Sequence, residues 1–280
     1  MKTVVMMLAA LALTCGAASA QTLERIKETG VMTLGYRIDA PPLSFQTAAG
    51  EPAGYSPIVC AEVAQDILNT LKLEGGLDVR FVPVDTKDRF EKVASGEIDL
   101  LCGAATITLD RRKMVDFSIP TFVDGTAIMV RQDGPDDFAA YAGKKMGVRS
   151  NTTTKVALEN TLEAAGMQVE VFSFASHLDG VKALETMEID AYFADQSILA
   201  SLRLTSPEAA KLKMSNEILT IEKHGLAMAR GDADFRLLVD AALSRMYARG
   251  SMQKVFQELL PGVQPGQGLR AMYVIAPILD

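Results

Sequence analysis

The sequence predicts an α/β protein with two lobes, each built on a mainly parallel sheet flanked by helices. Apolar strands and amphipathic helices alternate along the first half of the chain, and the alternation starts again after a turn signal at residues 133–137. Repeated βαβ units favour parallel sheets, because each crossover helix returns the chain to the same end of the sheet. Ligands of such sheets bind at the carboxyl ends of strands, so we expect a site in the cleft between the lobes.

The first series of elements occupies the N-terminal half of the chain. Its helices have one apolar face, and Gly96 follows the second of them as a stop signal. The predicted elements are strands at 31–36, 79–83, 98–102 and 126–131 and helices at 55–73 and 89–95.

The second series repeats this order. It comprises strands at 145–149, 169–172 and 189–193 and helices at 152–165 and 178–185. Apolar stretches at 218–221 and 226–229 then flank a polar joint at residues 222–225, where the chain should return to the first lobe, and two helices follow at 234–249 and 252–260. These boundaries predict lobe 1 at residues 21–123 and 225–280 and lobe 2 at residues 124–224.

Residues 1–20 have the pattern of a cleavable signal peptide. A basic start at Met1-Lys2 precedes an apolar run at residues 4–13, and Ala18-Ser19-Ala20 forms a small-residue cleavage signal. That run is shorter than the roughly 20 residues that span a bilayer. Cys15 leaves a lipoprotein as the alternative, but Thr14 before it is a poor lipobox residue. We therefore expect an exported, soluble protein in the periplasm.

Charge and cysteine usage narrow the function classes. The formal net charge is −7, with no basic run, which argues against a nucleic-acid partner. His177 and His224 have no cluster of potential ligands around them, so we expect neither a metal nor a cofactor. Cys60 and Cys102 remain after signal cleavage, which predicts a disulfide between a helix and the end of a strand. Two buried free thiols are the alternative.

Two arginines stand at predicted helix starts, where a cation is unfavourable. Asp85 is the predicted N-cap of the helix that carries Arg89, and Thr108 that of a helix carrying Arg111. The first turn of a helix has a partial positive charge, so an arginine there costs a few tenths to about 1 kcal/mol. A bound anion would compensate, and a third such start lies at residues 151–153. The pattern favours a carboxylate-binding protein over solvated arginines beside acidic neighbours.

Four stretches of sequence carry a family resemblance. The most specific is ATITLDRRKMVDFSIP at residues 105–120, supported by residues 96–100, 147–153 and 188–195. Together they resemble the polar amino-acid receptors of ABC importers, over nearly all of residues 22–265. The resemblance implies a type II periplasmic binding protein with a hinge of two crossovers. It also implies a monomer whose partner is an inner-membrane ABC permease.

The resemblance also implies how the backbone of an amino acid would be held. Arg111 should bind the α-carboxylate, helped by the hydroxyl and N–H of Thr106 and by the helix start at Thr153. Asp195 should accept hydrogen bonds from the α-ammonium. An acid at the end of an apolar strand is costly without a cation nearby, which agrees with this role. An N-cap for the helix that follows is the alternative for Asp195.

Among these receptors, those for glutamate and aspartate look most similar. Arg37, Thr86, Arg89 and His177 fall where that subfamily places the ligands of the side-chain carboxylate. Two guanidinium groups facing one cleft repel each other unless an anion lies between them. The sequence departs from the family at Ala104, where many relatives have a hydroxyl residue.

Two further departures concern aromatic positions. Ala40 stands where an aromatic residue often stacks on the ligand, and His224 replaces an aromatic at the second crossover, which we interpret as hinge packing.

The expected function is a receptor for an acidic L-amino acid. A periplasmic dehydratase similar to cyclohexadienyl or arogenate dehydratase is the alternative, but it needs a general acid or base, and only His177 could serve. A ligand-sensing domain is the third hypothesis. Such sensors carry a transmembrane or signalling segment, and the sequence shows no pattern of one.

Overall fold

The computed structural model describes residues 21–279, so the predicted signal peptide and Cys15 lie outside the described residues. Within that range, no helix is both long and apolar enough to cross a membrane. The strands are β1 Val31–Arg37, β2 Asp39–Ala40, β3 Ser44–Gln46, β4 Pro52–Ala53, β5 Asp78–Val84, β6 Leu100–Cys102, β7 Val115–Phe117, β8 Phe122–Asp124, β9 Thr126–Arg131, β10 Lys145–Arg149, β11 Glu170–Phe174, β12 Ala191–Asp195, β13 Leu212–Ile218, β14 Glu222–His224 and β15 Ala227–Ala229.

The helices flank these strands. They are α1 Gln21–Thr29, α2 Tyr55–Leu71, α3 Arg89–Ala94, α4 Thr153–Ala165, α5 His177–Glu185, α6 Gln196–Thr205, α7 Ala233–Ala248, α8 Ser251–Leu259 and α9 Gln267–Ile275, with 3-10 turns at Arg111–Lys113, Phe138–Tyr141 and Ala209–Lys211. Helices α1 and α9 were not predicted from the sequence.

Two five-stranded sheets form the framework. Their strand orders are β5-β1-β6-β15-β7, which we call lobe 1, and β11-β10-β12-β9-β13, which we call lobe 2. The strands from the βαβ units pair in parallel, whereas β15 and β9 run antiparallel to both of their neighbours. The predicted two-lobed α/β fold is therefore confirmed, and each sheet is mixed because β9 and β15 enter directly from the crossings between the lobes.

The two crossings form a short antiparallel ribbon. Strand β8 pairs with β14, with Glu222 opposite Asp124 and His224 opposite Phe122. The predicted lobe boundaries after residues 123 and 224 fall in this ribbon, and the division they describe stays a prediction. The polar joint thus brings an acid and a histidine to the floor of the region between the sheets.

A disulfide anchors α2 to the sheet of lobe 1. Cys60 and Cys102 are bonded, with their Cα atoms 6.1 Å apart and both side chains fully buried. Val59, Val63 and Ile67 lie at helical spacing on the same buried face of α2. The predicted bridge is confirmed, and it fixes the end of β6 from which the chain enters the cleft.

Neither of the two predicted helices that carry an arginine begins as expected. Thr108 Oγ1 accepts from the Arg111 N–H at 3.1 Å, but a single 3-10 turn follows instead of a helix. The reason is length, because β7 begins at Val115 and leaves room for one turn only. The prediction of Asp85 as the N-cap of α3 is wrong, because α3 begins at Arg89 and Asp88 holds the N-cap position. Asp85 instead begins the turn before α3: its carboxylate accepts from the Lys87 N–H at 2.9 Å, and the Asp88 carboxylate accepts from the Asp85 N–H at 2.9 Å.

Candidate functional site

A cavity lies between the two sheets. Eight of the nine predicted ligand-binding residues line it, namely Arg37, Arg89, Ala104, Thr106, Arg111, Thr153, His177 and Asp195. Thr86 lies outside this lining, and its hydroxyl donates to Asp85 Oδ1 at 3.1 Å.

Lobe 1 brings three arginines to the cavity wall. Arg37 ends β1, Arg89 begins α3 and Arg111 begins the 3-10 turn. Arg89 Nη1 donates to the Ala104 carbonyl at 2.9 Å, and Arg111 Nη1 donates to the Thr106 carbonyl at 2.7 Å. Each interaction orients a guanidinium group without supplying a negative charge.

The guanidinium groups of Arg89 and Arg111 also share an aromatic neighbour. Each lies 4.8 Å from the ring centre of Phe90, a cation–π distance that sequence reasoning did not anticipate. Burial lowers the pKa of Arg89 well below its ordinary value, and the positive charges of Arg111 and Arg37 add to that effect. Burial likewise lowers the pKa of Arg111, to about 10. The cavity therefore holds cations that lack full compensation.

Residues of both walls and of the hinge ribbon form a group that we call the hinge cluster: Thr106 of lobe 1, Thr153 and Asp195 of lobe 2, and Glu222 and His224 of the ribbon. Glu222 Oε2 accepts hydrogen bonds from the hydroxyls of Thr106 at 2.6 Å and Thr153 at 2.7 Å. Burial would raise the pKa of Glu222, but these hydrogen bonds and one from Thr220 hold it below its ordinary value. Glu222 is therefore a carboxylate.

This arrangement corrects the expected role of the Thr106 hydroxyl. A hydroxyl has one proton, and Thr106 donates it to Glu222, so it can only accept from a ligand. The same limit applies to Thr153. An ammonium group suits such an acceptor, whereas a carboxylate would need N–H donors, which the first turn of α4 offers.

Asp195 ends β12 at the position that precedes α6. Its side chain makes no capping hydrogen bond to that helix, so the alternative reading as an N-cap is not supported. Burial raises the pKa of Asp195, His224 opposes this, and Glu222 adds to it. His224 Nε2 lies 3.5 Å from Asp195 Oδ2, while its ring stacks on Phe122 with the centroids 6.2 Å apart, as expected of hinge packing.

A second group of charges, which we call the arginine cluster, comprises Arg37, Asp39, Asp85 and Arg149. Arg37 Nε donates to Asp39 Oδ1 at 2.9 Å, and its Nη2 contacts the same oxygen. Arg149 Nε donates to Asp39 Oδ2 at 2.8 Å, and Arg149 Nη2 donates to Asp85 Oδ2 at 2.7 Å. Burial would raise the pKa of Asp39, but Arg37, His177 and Arg149 hold it far below its ordinary range.

His177 begins α5 beside this cluster and is fully buried in the cleft wall. Its Nδ1 lies 3.1 Å from the Tyr192 hydroxyl, which approaches because a Cβ at Gly180 would stand 2.0 Å from the Tyr192 ring. Burial lowers the pKa of His177 to about 3, with the charge of Arg37 as the next cause. The imidazole is thus neutral and offers hydrogen bonds without charge.

Sequence reasoning missed Asp39, Arg149 and Glu222. Arg149 ends a strand that was predicted, so the rule about carboxyl ends of strands could have identified it. Glu222 was recognised only as part of a polar joint. No local sequence pattern marks Asp39, because its partners Arg37 and Arg149 come together only through the fold.

The acids and histidine of the hinge cluster have the spacing of a metal site. One potential ligand atom from each of Asp195, Glu222 and His224 lies within 4.8 Å of the others. Threonine hydroxyls already bind both Glu222 oxygens, and the charges of Arg89 and Arg111 act on the same cluster. We therefore interpret the group as an electrostatic network of the hinge.

Comparisons with known proteins agree with this geometry. The sequence profile of the bacterial extracellular solute-binding proteins, family 3, matches residues 32–261. An L-glutamate/L-aspartate-binding protein of Pseudomonas aeruginosa is 30% identical over 256 residues, which cover 89% of this chain and 82% of the relative. A glutamate/aspartate import solute-binding protein of Escherichia coli is 26% identical over 276 residues, 95% and 91% of the two chains.

Solved structures resemble this one in fold. An ancestral arginine-binding protein bound to arginine superposes with a TM-score of 0.73 at 26% identity, covering 82% of this chain and 98% of that one. An ancestral amino acid-binding protein, described as a precursor of cyclohexadienyl dehydratase, gives a TM-score of 0.74 at 24% identity and covers 86% and 99% of the chains. The second likeness concerns the fold alone.

Proposed function

Because this chain belongs to the bacterial extracellular solute-binding proteins of family 3, we propose that it is the periplasmic receptor of an ABC amino-acid importer. Its ligand is an acidic L-amino acid, glutamate or aspartate, bound between the lobes. It acts as a monomer and delivers the ligand to an inner-membrane permease. The names of its glutamate- and aspartate-binding relatives support this ligand class.

The observation that carries the proposal is the state of Arg89. Its side chain is almost fully buried, it faces the cavity beside two other arginines, and its Nε has no hydrogen-bond partner among residues 21–279. A buried donor without a partner costs about 1–3 kcal/mol, and more when the group is charged. A ligand oxygen that carries negative charge would satisfy the donor and the charge together.

We assign the ligand's backbone groups to the hinge side of the cavity. Arg111 binds the α-carboxylate, with the N–H groups at the start of α4, where Thr153 is the first residue. Asp195 and the Thr106 hydroxyl accept from the α-ammonium. The assignment gives each acceptor a donor and leaves Glu222 to hold the threonine hydroxyls in place.

The side-chain carboxylate then belongs between Arg37 and Arg89, with neutral His177 as a further donor. Ala104 contributes its carbonyl, which holds Arg89 in place, so the missing hydroxyl at this position removes one side-chain hydrogen bond only. Thr86 supports the site indirectly through Asp85, which pairs with Arg149.

An enzyme of the dehydratase type is disfavoured by the state of His177. A general acid or base works best when its pKa lies near the operating pH, whereas burial lowers the pKa of His177 to about 3. Mixing the protein with prephenate and arogenate tests this directly. Turnover would establish the enzyme reading, and its absence alongside glutamate binding supports the receptor.

A ligand screen by thermal shift and calorimetry tests the acidic specificity. We expect glutamate or aspartate to bind far better than glutamine or asparagine. Arg89→Gln should weaken acidic ligands by roughly 2 kcal/mol or more, because a buried charge pair is lost, and should narrow the gap to the amides. Arg80→Gln is the matched control, since Arg80 is exposed on β5 of the same lobe. Tightest binding of glutamine, histidine or arginine by the wild type would contradict the proposal.

A further inference from the structure

Arg149 belongs to lobe 2, but both of its ion pairs are with acids of lobe 1, while its Nη1 donates to Ser150 Oγ at 2.9 Å within lobe 2. Arg149 donates to Asp39 at 2.8 Å and to Asp85 at 2.7 Å, and its side chain is only 2% exposed. Thr106 of lobe 1 and Thr153 of lobe 2 also meet, with their hydroxyl oxygens 3.1 Å apart, and both hydroxyls donate to Glu222 of the hinge ribbon. Arg149 thus places a positive charge of lobe 2 directly against two acids of lobe 1.

The ion pairs of Arg149 depend on the closed arrangement of the lobes. Separating the lobes would detach Arg149 from both acids and leave charges exposed that are paired here. A buried ion pair adds little stability compared with apolar packing, but losing one partner leaves a charge uncompensated. The balance between closed and separated lobes should therefore depend on the charge at residue 149.

Asp39 links this contact to the cavity. One oxygen of Asp39 binds Arg37 and the other binds Arg149, so a single carboxylate fixes both guanidinium groups. The stem of Arg37 is confined as well, because a Cβ at Gly103 would stand 3.0 Å from Arg37 Cγ. Opening the lobes would leave Asp39 paired with Arg37 alone, which neutralises one of the two cations facing a distal carboxylate.

We propose that Arg149, acting through Asp39, is a specificity-determining and positioning residue that orients Arg37 and couples recognition of the ligand's side-chain carboxylate to closure of the lobes. The selectivity part rests on the proposed function, whereas the closure part does not. In this scheme closure of the lobes makes Asp39 share its negative charge between Arg37 and Arg149, so Arg37 keeps more uncompensated positive charge for the ligand than it would with Asp39 to itself.

Two measurements on Arg149→Met test the scheme. Spin labels at Glu91→Cys on α3 and Glu159→Cys on α4, both exposed, report the distance between the lobes. We expect the ligand-free parent protein to populate a short distance that Arg149→Met loses. By calorimetry, the variant should bind L-glutamate at least tenfold more weakly and L-glutamine less so, which reduces the ratio of the two affinities.

Matched variants make the result specific. Arg131→Met removes another arginine of lobe 2, whose partners Ile189 and Asp190 lie in the same lobe, and it should change neither measurement. Arg149→Lys keeps the charge and should restore part of the closure and of the affinity ratio. If Arg149→Met does not fold, Arg149→Lys and Asp85→Asn carry the test with intermediate losses.

The proposal is overturned if Arg149→Met leaves both the distance distribution and the affinity ratio unchanged. A wild type that binds no acidic amino acid would refute the proposed function and with it the selectivity part. The distances between the labels would then still decide whether Arg149 controls closure.

Discussion

Glu222 in the hinge cluster accepts hydrogen bonds from threonine hydroxyls, whereas Asp39 in the arginine cluster accepts them from two guanidinium groups. Hydroxyls satisfy a carboxylate without cancelling its charge, and guanidinium groups do both. The two clusters therefore differ in how much unpaired charge they offer to a ligand. At the hinge the geometry is fixed and the charges remain available, whereas in the arginine cluster part of the charge is already paired.

Arg111 shows what this difference means for binding. Its guanidinium donates to a carbonyl, and the nearest acidic influences are Glu222 and Asp195 of the hinge cluster. Arg37 by contrast has an acid bonded directly to it. We therefore expect binding to depend more on Arg111 than on either arginine that faces the distal carboxylate.

The largest expected effect is that of Arg111→Met. Loss of a charged hydrogen bond from a desolvated cleft costs roughly 2–5 kcal/mol, so binding of every amino acid should be lost while the fold is kept. Calorimetry measures the affinity and circular dichroism checks the fold. Arg112→Met is the matched control, because Arg112 is exposed in the same turn. Unchanged affinity in Arg111→Met would remove this residue from the site.

The disulfide comes next, because it fixes the strand end that supports both clusters. The Ser44 hydroxyl contacts the Cys102 carbonyl and accepts from the Arg37 N–H at 2.9 Å, while Gly103 and Ala104 continue towards Thr106. Replacing Cys60 and Cys102 by alanine opens a link between residues 42 positions apart and should lower the free energy of unfolding by about 2–4 kcal/mol. Denaturant titration measures the loss. The periplasmic wild type, from which the predicted signal peptide with Cys15 has been removed, should show no titratable thiol when it is denatured without reduction.

Residues that a local sequence pattern marks were easier to predict than residues that meet their partners only through the fold. Arg89 and Arg111 could be predicted because a helix start marks each of them locally, whereas Arg37 was assigned from the family resemblance. Glu222 could not, since it meets Thr106 across 116 positions and only through the second crossing. The contact from Arg149 to Asp39 spans 110 positions and two lobes, and no local pattern records how two lobes face each other.

The same reasoning applies to the fold. Alternating apolar patterns predicted the βαβ series, since each pattern reports on burial within one element. They could not show that β9 and β15 run antiparallel to their neighbours, because strand direction there is set by where the crossings enter the sheets. The expected helix after Thr108 shrank to one turn because β7 follows at once.

A smaller effect is expected from Glu222→Gln, which tests the hydroxyl-based arrangement of the hinge cluster. The amide keeps one acceptor oxygen and turns an N–H₂ group towards hydroxyls that need an acceptor. The free energy of unfolding should fall by roughly 1–3 kcal/mol, measured by denaturant titration at neutral pH. Glu170→Gln, on an exposed position of β11, should have almost no effect. Equal stability of Glu222→Gln and wild type would contradict the carboxylate state of Glu222.

The smallest expected effect concerns the charge of His177, the neutral donor beside the arginine cluster. Its pKa is lowered to about 3 by burial, so the folded protein keeps it neutral while the unfolded chain takes up a proton below its ordinary value of 6.5. The stability that comes from neutral His177 is therefore present at pH 8 and is lost as the pH falls from 6.5 towards 3. At pH 6 the loss should be on the order of 1 kcal/mol, and His177→Gln should remove that part of the pH dependence in thermal unfolding. Two-dimensional NMR gives the direct check, since the chain has two histidines and the variant assigns their signals. If the His177 imidazole titrates near 6.5 in the folded protein, burial does not keep it neutral at lower pH, and the predicted loss of stability below pH 6.5 would not come from His177.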